Sequence, residues 1–486
     1  MHDGDATWSD VPAELETASA AGEIEGTGSA TKGVALRLAP LLTKILLGEG
    51  RDEGRDEGRE AADALPIRVV AWDGSSIGPP GAPAFVIKHR RALRRLLWKP
   101  GEMGLVRAYV AGELDIDGDV VAALDAVGRV MRNGDEPIRL SSDDKRDIVR
   151  TAVTLGAVGP EPKPPPEELA TGWLDTGRRD TGGRHTGGRD TGGRDSAAEP
   201  MREPAEFFAR LFGDDLAHIT GSWDVDAEVG GDVDQGVGLR AAQVAACAGV
   251  AERLGLFHGA RLLDLSCGWG AFARYAAVHH GARVVALART PGQADHARAM
   301  TADAEAEGCV EVRGFDLVEA GDGHYDAIVG LAGVASIERP ASRLYELLAP
   351  GGRLVLQQPV RRPGSHQARR SFITSYMFPD DADLRSLGAL LDDLEGAGLE
   401  VRRVEALRED HARTLRAWAA GLRRHWTECE QMAGPGRARV WLLYLAASAL
   451  ACESGQIGRH EIRAIRRDHN VRAAATKAEG RTVMTR

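Results

Sequence analysis

Apolar runs that break into glycine or a polar turn, each followed by an amphipathic stretch, set the pattern of the second half of the chain. Leu262-Leu263-Asp264-Leu265 has the length and character of a buried strand, and it ends in Ser266-Cys267-Gly268-Trp269-Gly270. A helix is expected over Ala271–His280, and a second strand over Arg283–Ala288. Thr290-Pro291-Gly292-Gln293 then opens a helix reaching to about Glu307. Strands follow at Val310–Arg313, running out at Phe315-Asp316, and at Tyr325–Leu331. Arg343–Leu348 reads as helix, Pro350-Gly351-Gly352 as a tight turn and Arg353–Gln357 as a fifth strand. Upstream, Glu206–Phe212 and Leu239–Leu256 carry helical periodicity. This alternation predicts an α/β fold, with a mostly parallel sheet and helices on both faces. Such sheets bind ligands at the carboxyl ends of their strands, and Gly268 and Gly270 would let a ligand approach the backbone there.

The first half of the chain is patterned differently. Ile67–Trp72 alternates like a strand, Asp73-Gly74-Ser75 is a turn and Ala84–Ile87 is a second strand. Ala92–Trp98 reads as helix, and Gly104–Gly118 as helix, turn and strand, which together predict a small α+β domain. Asp115, Asp117 and Asp119 alternate as calcium ligands do, but the loop pattern does not complete, and a solvated turn is the better reading. Leu36–Leu47 is an apolar helix, read as docking on this domain in preference to a membrane anchor. Residues 131–159 read as a helical connector and Pro160–Pro166 as a stiff, extended spacer. Thr181-Gly182-Gly183-Arg184 recurs twice at a period too short and polar to fold, and is read as flexible linker. The expected division is 1–60 disordered with a short helix, 61–155 small domain, 156–200 linker, 201–470 α/β domain and 471–486 tail.

Composition narrows the class. At 486 residues, 43% hydrophobic and 27% charged, the chain is globular and multidomain. A net charge of −11 argues against a nucleic-acid partner. Lys88, Arg90, Arg91, Arg94 and Arg95 nevertheless make a local basic cluster, readable as a face for anionic lipid or as a solvated helix face. The five cysteines are scattered without a paired spacing, so no metal or disulfide framework is expected. The absence of a long apolar segment or an apolar leader predicts a cytoplasmic protein, either soluble or peripheral to the membrane.

The glycine turn alone is a weak signal. Gly268-x-Gly270-x-x-Ala273 fits a relaxed dinucleotide pattern, but the second strand ends in Ala288-Arg289-Thr290, with no acid to hold a ribose. Asp264-x-x-Cys267-Gly268-x-Gly270 instead resembles the first motif of class I S-adenosyl-L-methionine (SAM) methyltransferases. Further stretches widen the likeness: Tyr109–Gly118, Gln293, Tyr325–Val329, Pro350–Gly352, Tyr376–Asp380, Thr414–Trp418 and Arg439–Tyr444. Together they resemble the cyclopropane-fatty-acyl-phospholipid synthase family, which includes the mycolic acid cyclopropane synthases, from about Ile67 to Arg466 outside the linker.

The resemblance implies a Rossmann-like class I methyltransferase sheet and methyl transfer from SAM to a cis double bond of a phospholipid acyl chain at a membrane surface. A bound bicarbonate would then take the proton. It implies cofactor contacts from Thr220, Asp264, Ser266, Cys267, Gly268, Gly270, Gln293 and Asp316, with Ser266 standing where the family has glycine. The family's base-site residues do not carry over. Gly221 stands for a cysteine, Ala335-Ser336 for a Glu-His pair, Gln357 for a histidine and His411 for a tyrosine. His411 and Glu338 are the candidate substitute bases, each weighed against an exposed surface role. Three readings follow: an active lipid methyltransferase, a degenerate SAM- or lipid-binding scaffold, and a methyltransferase redirected to another small molecule. A homodimer is kept open.

Overall fold

The computed structural model describes residues 33–39, 67–99, 101–132, 150–168 except 152 and 158, 201–223, 236–302, 308–314, 317–331, 340–362, 371–378 and 384–468. A short helix, α1 (34–39), buries Ala35, Leu38 and Ala39 in the core of the small domain, the docking placement preferred for this apolar stretch. The remainder of Leu36–Leu47 lies outside the described residues. The small domain runs β1 (Arg68–Val70), β2 (Ser76–Ile77), β3 (Ala84–Ile87), α2 (Arg91–Trp98), α3 (Glu102–Val110), β4 (Leu114–Asp117) and α4 (Val120–Arg132). Its sheet has the order β2-β1-β3-β4, with β1 and β3 parallel and the other pairs antiparallel.

The basic cluster of α2 is partly engaged with acids, while Lys88, Arg90 and Arg91 stay exposed. Arg95 is buried, and its Nε donates to Glu113 at 2.8 Å, with Arg91 3.6 Å from the same carboxylate. Lys88 pairs with Asp115 at 2.6 Å, and Arg439 reaches that acid at 3.3 Å. Arg95→Met strands a Glu113 that is only 6% exposed. It should cost about 3–5 kcal/mol in urea unfolding, most of it recovered in the double variant Arg95→Met/Glu113→Gln.

The proline-rich segment carries no helix or strand over 159–168, and it is docked. Lys163 O accepts from Arg95 Nη1 at 2.7 Å, and Arg107 holds Glu161 and Glu168. Glu168 also accepts from Tyr376 Oη at 3.0 Å, so the segment straps the small domain to the second one. Proline stiffness lets these few polar contacts fix it at low entropic cost.

The second domain begins with α5 (Ala205–Phe212) and α6 (Gly236–Leu254). It continues through β5 (Arg261–Asp264), α7 (Ala271–His280), β6 (Arg283–Ala288), α8 (Pro291–Thr301), β7 (Val310–Gly314) and β8 (Tyr325–Gly330). Then come α9 (Pro340–Leu347), β9 (Leu348–Arg361), α10 (Phe372–Tyr376), α11 (Leu387–Gly396), β10 (Glu400–Ala406), α12 (Arg408–Arg424), α13 (Trp426–Ala433), α14 (Pro435–Glu453) and β11 (Ile457–Ile465). The strands form one seven-stranded sheet, β10-β11-β9-β8-β5-β6-β7, in which β11 runs antiparallel to both neighbours. Chain order reverses on either side of β5, which pairs in parallel with β6 and with β8. That switch opens a crevice at the carboxyl ends of β5 and β8.

The parallel centre agrees with the sequence pattern, while the antiparallel edge adds β10 and β11. Pro350-Gly351-Gly352 is not a free turn before the fifth strand. It is an irregularity inside β9, where Tyr325 pairs with Leu348 but Ala327 with Arg353, and Gly351 takes a φ of 82°. Helices α12 and α14 pack with α5 and the small domain into an aromatic-rich core around Phe207, Phe208, Trp418 and Trp441. Trp269, in the turn after β5, is part of this core.

Candidate cofactor and active site

The turn after β5 is held from both sides. Leu265 N–H donates to Val329 O at 2.8 Å, and Cys267 N–H donates to Leu287 O at 3.1 Å. Asp264 closes it from below, its carboxylate accepting from Ser266 N–H at 3.1 Å. Asp264 is buried, and burial pushes its carboxyl up to about 7. The Cys267 thiol is likewise driven well above its ordinary value by burial, so it is no nucleophile. Gly268 and Gly270 both take left-handed φ values, 55° and 98°. Their surroundings differ. A Cβ at Gly270 would sit 3.1 Å from Ala297 Cα and Cβ, whereas the nearest atom to one at Gly268 is His218 Cβ at 4.0 Å. Gly270 lets α7 and α8 approach; Gly268 keeps a space open.

The other sequence candidates are gathered less evenly. Gln293 is buried at the start of α8, where Thr290 caps its N–H at 3.1 Å. It is therefore no helix-surface amide, and its Nε2 lies 3.4 Å from Met201 Sδ. Thr220 is buried, and its Oγ1 lies 3.0 Å from His411 Nδ1. The backbone there is pinned to α12, since Gly221 N–H and Trp223 Nε1 both donate to Thr414 Oγ1 at 3.0 Å. Asp316, Ala335, Ser336 and Glu338 lie outside the described residues. Gln357 is buried on β9, its amide donating to Glu461 Oε2 at 3.1 Å.

His411 is not a surface histidine. Its imidazole lies inside the domain, and burial, with the nearby charge of Arg459, holds it well below the usual histidine range. His218, which no motif singled out, stacks on Phe212 at 4.7 Å and lies 5.2 Å from Trp418. Burial, with Arg459 and Arg289 adding to it, takes this ring down to about 3. Both residues are half-buried, with protein packed around their imidazoles. Both are neutral at physiological pH.

The seven-stranded order with its antiparallel β11, and the glycine turn after β5, are those of the class I methyltransferase fold. A side chain at Gly268 would meet only His218 Cβ, at 4.0 Å, so the turn leaves room for a ligand against its backbone. Residues 233–462 match the family described as mycolic acid cyclopropane synthetase. A probable fatty acid methyltransferase of Mycobacterium tuberculosis is 28% identical over 412 residues, which is 83% of this chain and 92% of that one. A tuberculostearic acid methyltransferase of the same organism is 27% identical over 411 residues, 82% of this chain and 87% of its own. A solved mycolic acid cyclopropane synthase, complexed with SAH and CTAB, aligns over 54% of this chain and 94% of its own at 23% identity, with a TM-score of 0.48. Most of the second domain therefore matches that family, and the chain is similar over most of its length to fatty acid methyltransferases.

Proposed function

We propose that this protein transfers a methyl-derived carbon from SAM to the unsaturated acyl chain of a phospholipid, met at the membrane surface, with His411 as the base. The observation that carries this reading is the enclosed His411 imidazole held against Thr220. SAM, when bound, supplies an electrophilic methyl group. Methylation of an alkene leaves a carbocation whose neighbouring protons are extremely acidic. A weak base therefore suffices, provided that it is unprotonated and fixed in place. Burial keeps His411 unprotonated, and Thr220 fixes its ring. The aromatic core over the sheet supplies apolar walls that keep water from the cation.

A specific observation favours the rival reading of a degenerate scaffold. Gln357 cannot act as a base, and its amide is engaged with Glu461. Lipid mass spectrometry on a host expressing the chain separates the two. The expected result is a gain of one CH2 unit on unsaturated acyl chains. His411→Asn should lower turnover by about 10²–10⁴-fold while leaving SAM affinity near wild type. SAM binding without any gain in wild type supports the scaffold, and no SAM binding overturns both readings.

A further inference from the structure

The stretch from Leu216 to Trp223 has no helix or strand of its own, yet its backbone is fixed from two sides. On one side, buried Gln243 of α6 donates through Nε2 to Phe212 O at 3.1 Å and to Ala217 O at 2.7 Å. Ser222 N–H donates to Ala242 O of the same helix at 2.9 Å. On the other side, Thr414 of α12 is 0% exposed, and its hydroxyl uses its whole hydrogen-bonding capacity. It donates to Asp410 O at 2.7 Å and accepts from Gly221 N–H and Trp223 Nε1–H, both at 3.0 Å. The Asp410 carboxyl accepts from Trp223 N–H. A Cβ at Gly221 would lie 2.9 Å from Ala242 Cβ and 3.4 Å from Thr414 Oγ1, so α6 and α12 close on this stretch as tightly as glycine permits. Leu216 takes a φ of 47°, a strained backbone that a branched side chain keeps only where its surroundings enforce it.

These bonds converge on one contact. Thr220 lies within the clamped stretch, and His411 stands three residues before Thr414, on the same side of α12. The 3.0 Å separation of Thr220 Oγ1 and His411 Nδ1 is therefore set by bonds that neither side chain makes itself. A helical threonine satisfies its hydroxyl with the carbonyl four residues back. The two further bonds to Thr414 do nothing for α12; they hold the other segment. We propose that Thr414 is a positioning residue of the reaction, whose hydroxyl locks residues 216–223 onto α12 and so keeps the His411 ring and Thr220 in register. The proposal rests on the reading of His411 as the base only for its effect on turnover; its effect on the ring is independent of that reading.

The test compares Thr414→Val, which keeps the shape and removes the hydroxyl, with Thr414→Ser, which keeps the hydroxyl. Nuclear magnetic resonance of the full chain with labelled histidines reads the ring without SAM or turnover, the His411 signal being the one lost in His411→Asn. Thr414→Val should shift the Nδ1 signal and raise the pH at which the ring titrates, because a released ring meets water. Arg459 on β11 and His218, the groups that sense this ring, are unchanged by the substitution. Thr414→Ser should restore both values. With SAM and dioleoylphosphatidylglycerol vesicles, Thr414→Val should lower kcat by about a hundredfold, the scale of a small misplacement at the reacting centre. In a His411→Asn background it should lower kcat no further, since the ring it positions is gone. Equal losses in the two backgrounds would mean a purely structural role and would overturn the proposal. So would a ring signal and titration that Thr414→Val leaves unchanged. If wild type does not turn over, or His411→Asn turns over as wild type does, the base reading falls and the ring signal alone decides on Thr414. Should Thr414→Val fail to fold, Trp223→Phe removes one of the two donors from a half-buried side chain. It should move the ring signal in the same sense, and no shift would again overturn the proposal.

Discussion

Alanine at position 268 should leave the ligand-free protein folded and remove most of its affinity for SAM, while alanine at position 270 should damage the fold itself. Both glycines are left-handed, so each substitution carries a backbone penalty of about 1–2 kcal/mol. At Gly268 that penalty stands alone, because a Cβ there meets no protein atom closer than 4.0 Å. The space it enters is the one assigned to the cofactor. Calorimetric titration should therefore show SAM affinity reduced by at least about a hundredfold, roughly 2.7 kcal/mol, on a fold within about 1–2 kcal/mol of wild type. At Gly270 the Cβ meets the backbone and side chain of Ala297 at 3.1 Å. Overpacking adds about 1–3 kcal/mol to the strain, and urea unfolding should register a loss of about 2–5 kcal/mol. A Gly268→Ala protein that binds SAM as wild type does would remove the glycine turn from the cofactor site.

The contrast between these two glycines marks how far the sequence could be read. The turn, its flanking strands and the parallel centre of the sheet were legible because apolar runs and glycines record backbone geometry directly. The strands β10 and β11 were not. Glu400–Ala406 is a largely solvated edge strand, and β11 buries Arg459 and Glu461 among its apolar residues, so neither shows a clean two-residue alternation. The same mixture hid part of the site. Arg459 belongs to no motif, and its burial is a property of three-dimensional packing. His218 stood next to Thr220 in plain view, but nothing local revealed that Phe212 and Trp418 would enclose it. His411 could be weighed as a base from the family resemblance, whereas its burial could not, because Glu409-Asp410-His411 reads as an exposed first helical turn. The proline-rich segment misled for the opposite reason. Its composition specifies an extended backbone and says nothing of what Arg107 and Tyr376 would grip.

Stability should fall as the pH drops from about 6.5 towards 5, above the range where carboxylates usually bring acid unfolding. His218 is neutral in the folded protein down to about pH 3 and titrates near 6.5 when unfolded. Its contribution is therefore fully present above 6.5 and is lost as the pH falls towards 3, on the order of 4 kcal/mol across that window. His411, also held well below its ordinary value, acts with the same sign, and His296 and His460 add to it. Asp264 opposes them. Its folded carboxyl is raised to about 7, so its contribution is present in acid and lost as the pH rises from about 4 to 7. Near pH 5 the unfolded chain then holds two protons on His218 and His411 that the folded chain lacks, and the folded chain holds one on Asp264 that the unfolded chain lacks. The difference of one proton gives a slope of about 1.4 kcal/mol per pH unit, with stability rising as pH rises; Asp410, raised by burial, reduces it. Asp264→Asn removes the opposing proton and should steepen the slope to about 2.7 kcal/mol per unit, whereas His218→Gln should flatten it. Urea unfolding of the three proteins between pH 5 and 6.5 measures all of these. A wild-type curve flat through that range, or a shallower slope in Asp264→Asn, would mean that the two imidazoles are not held neutral in the crevice, and would take the base assigned to His411 with it.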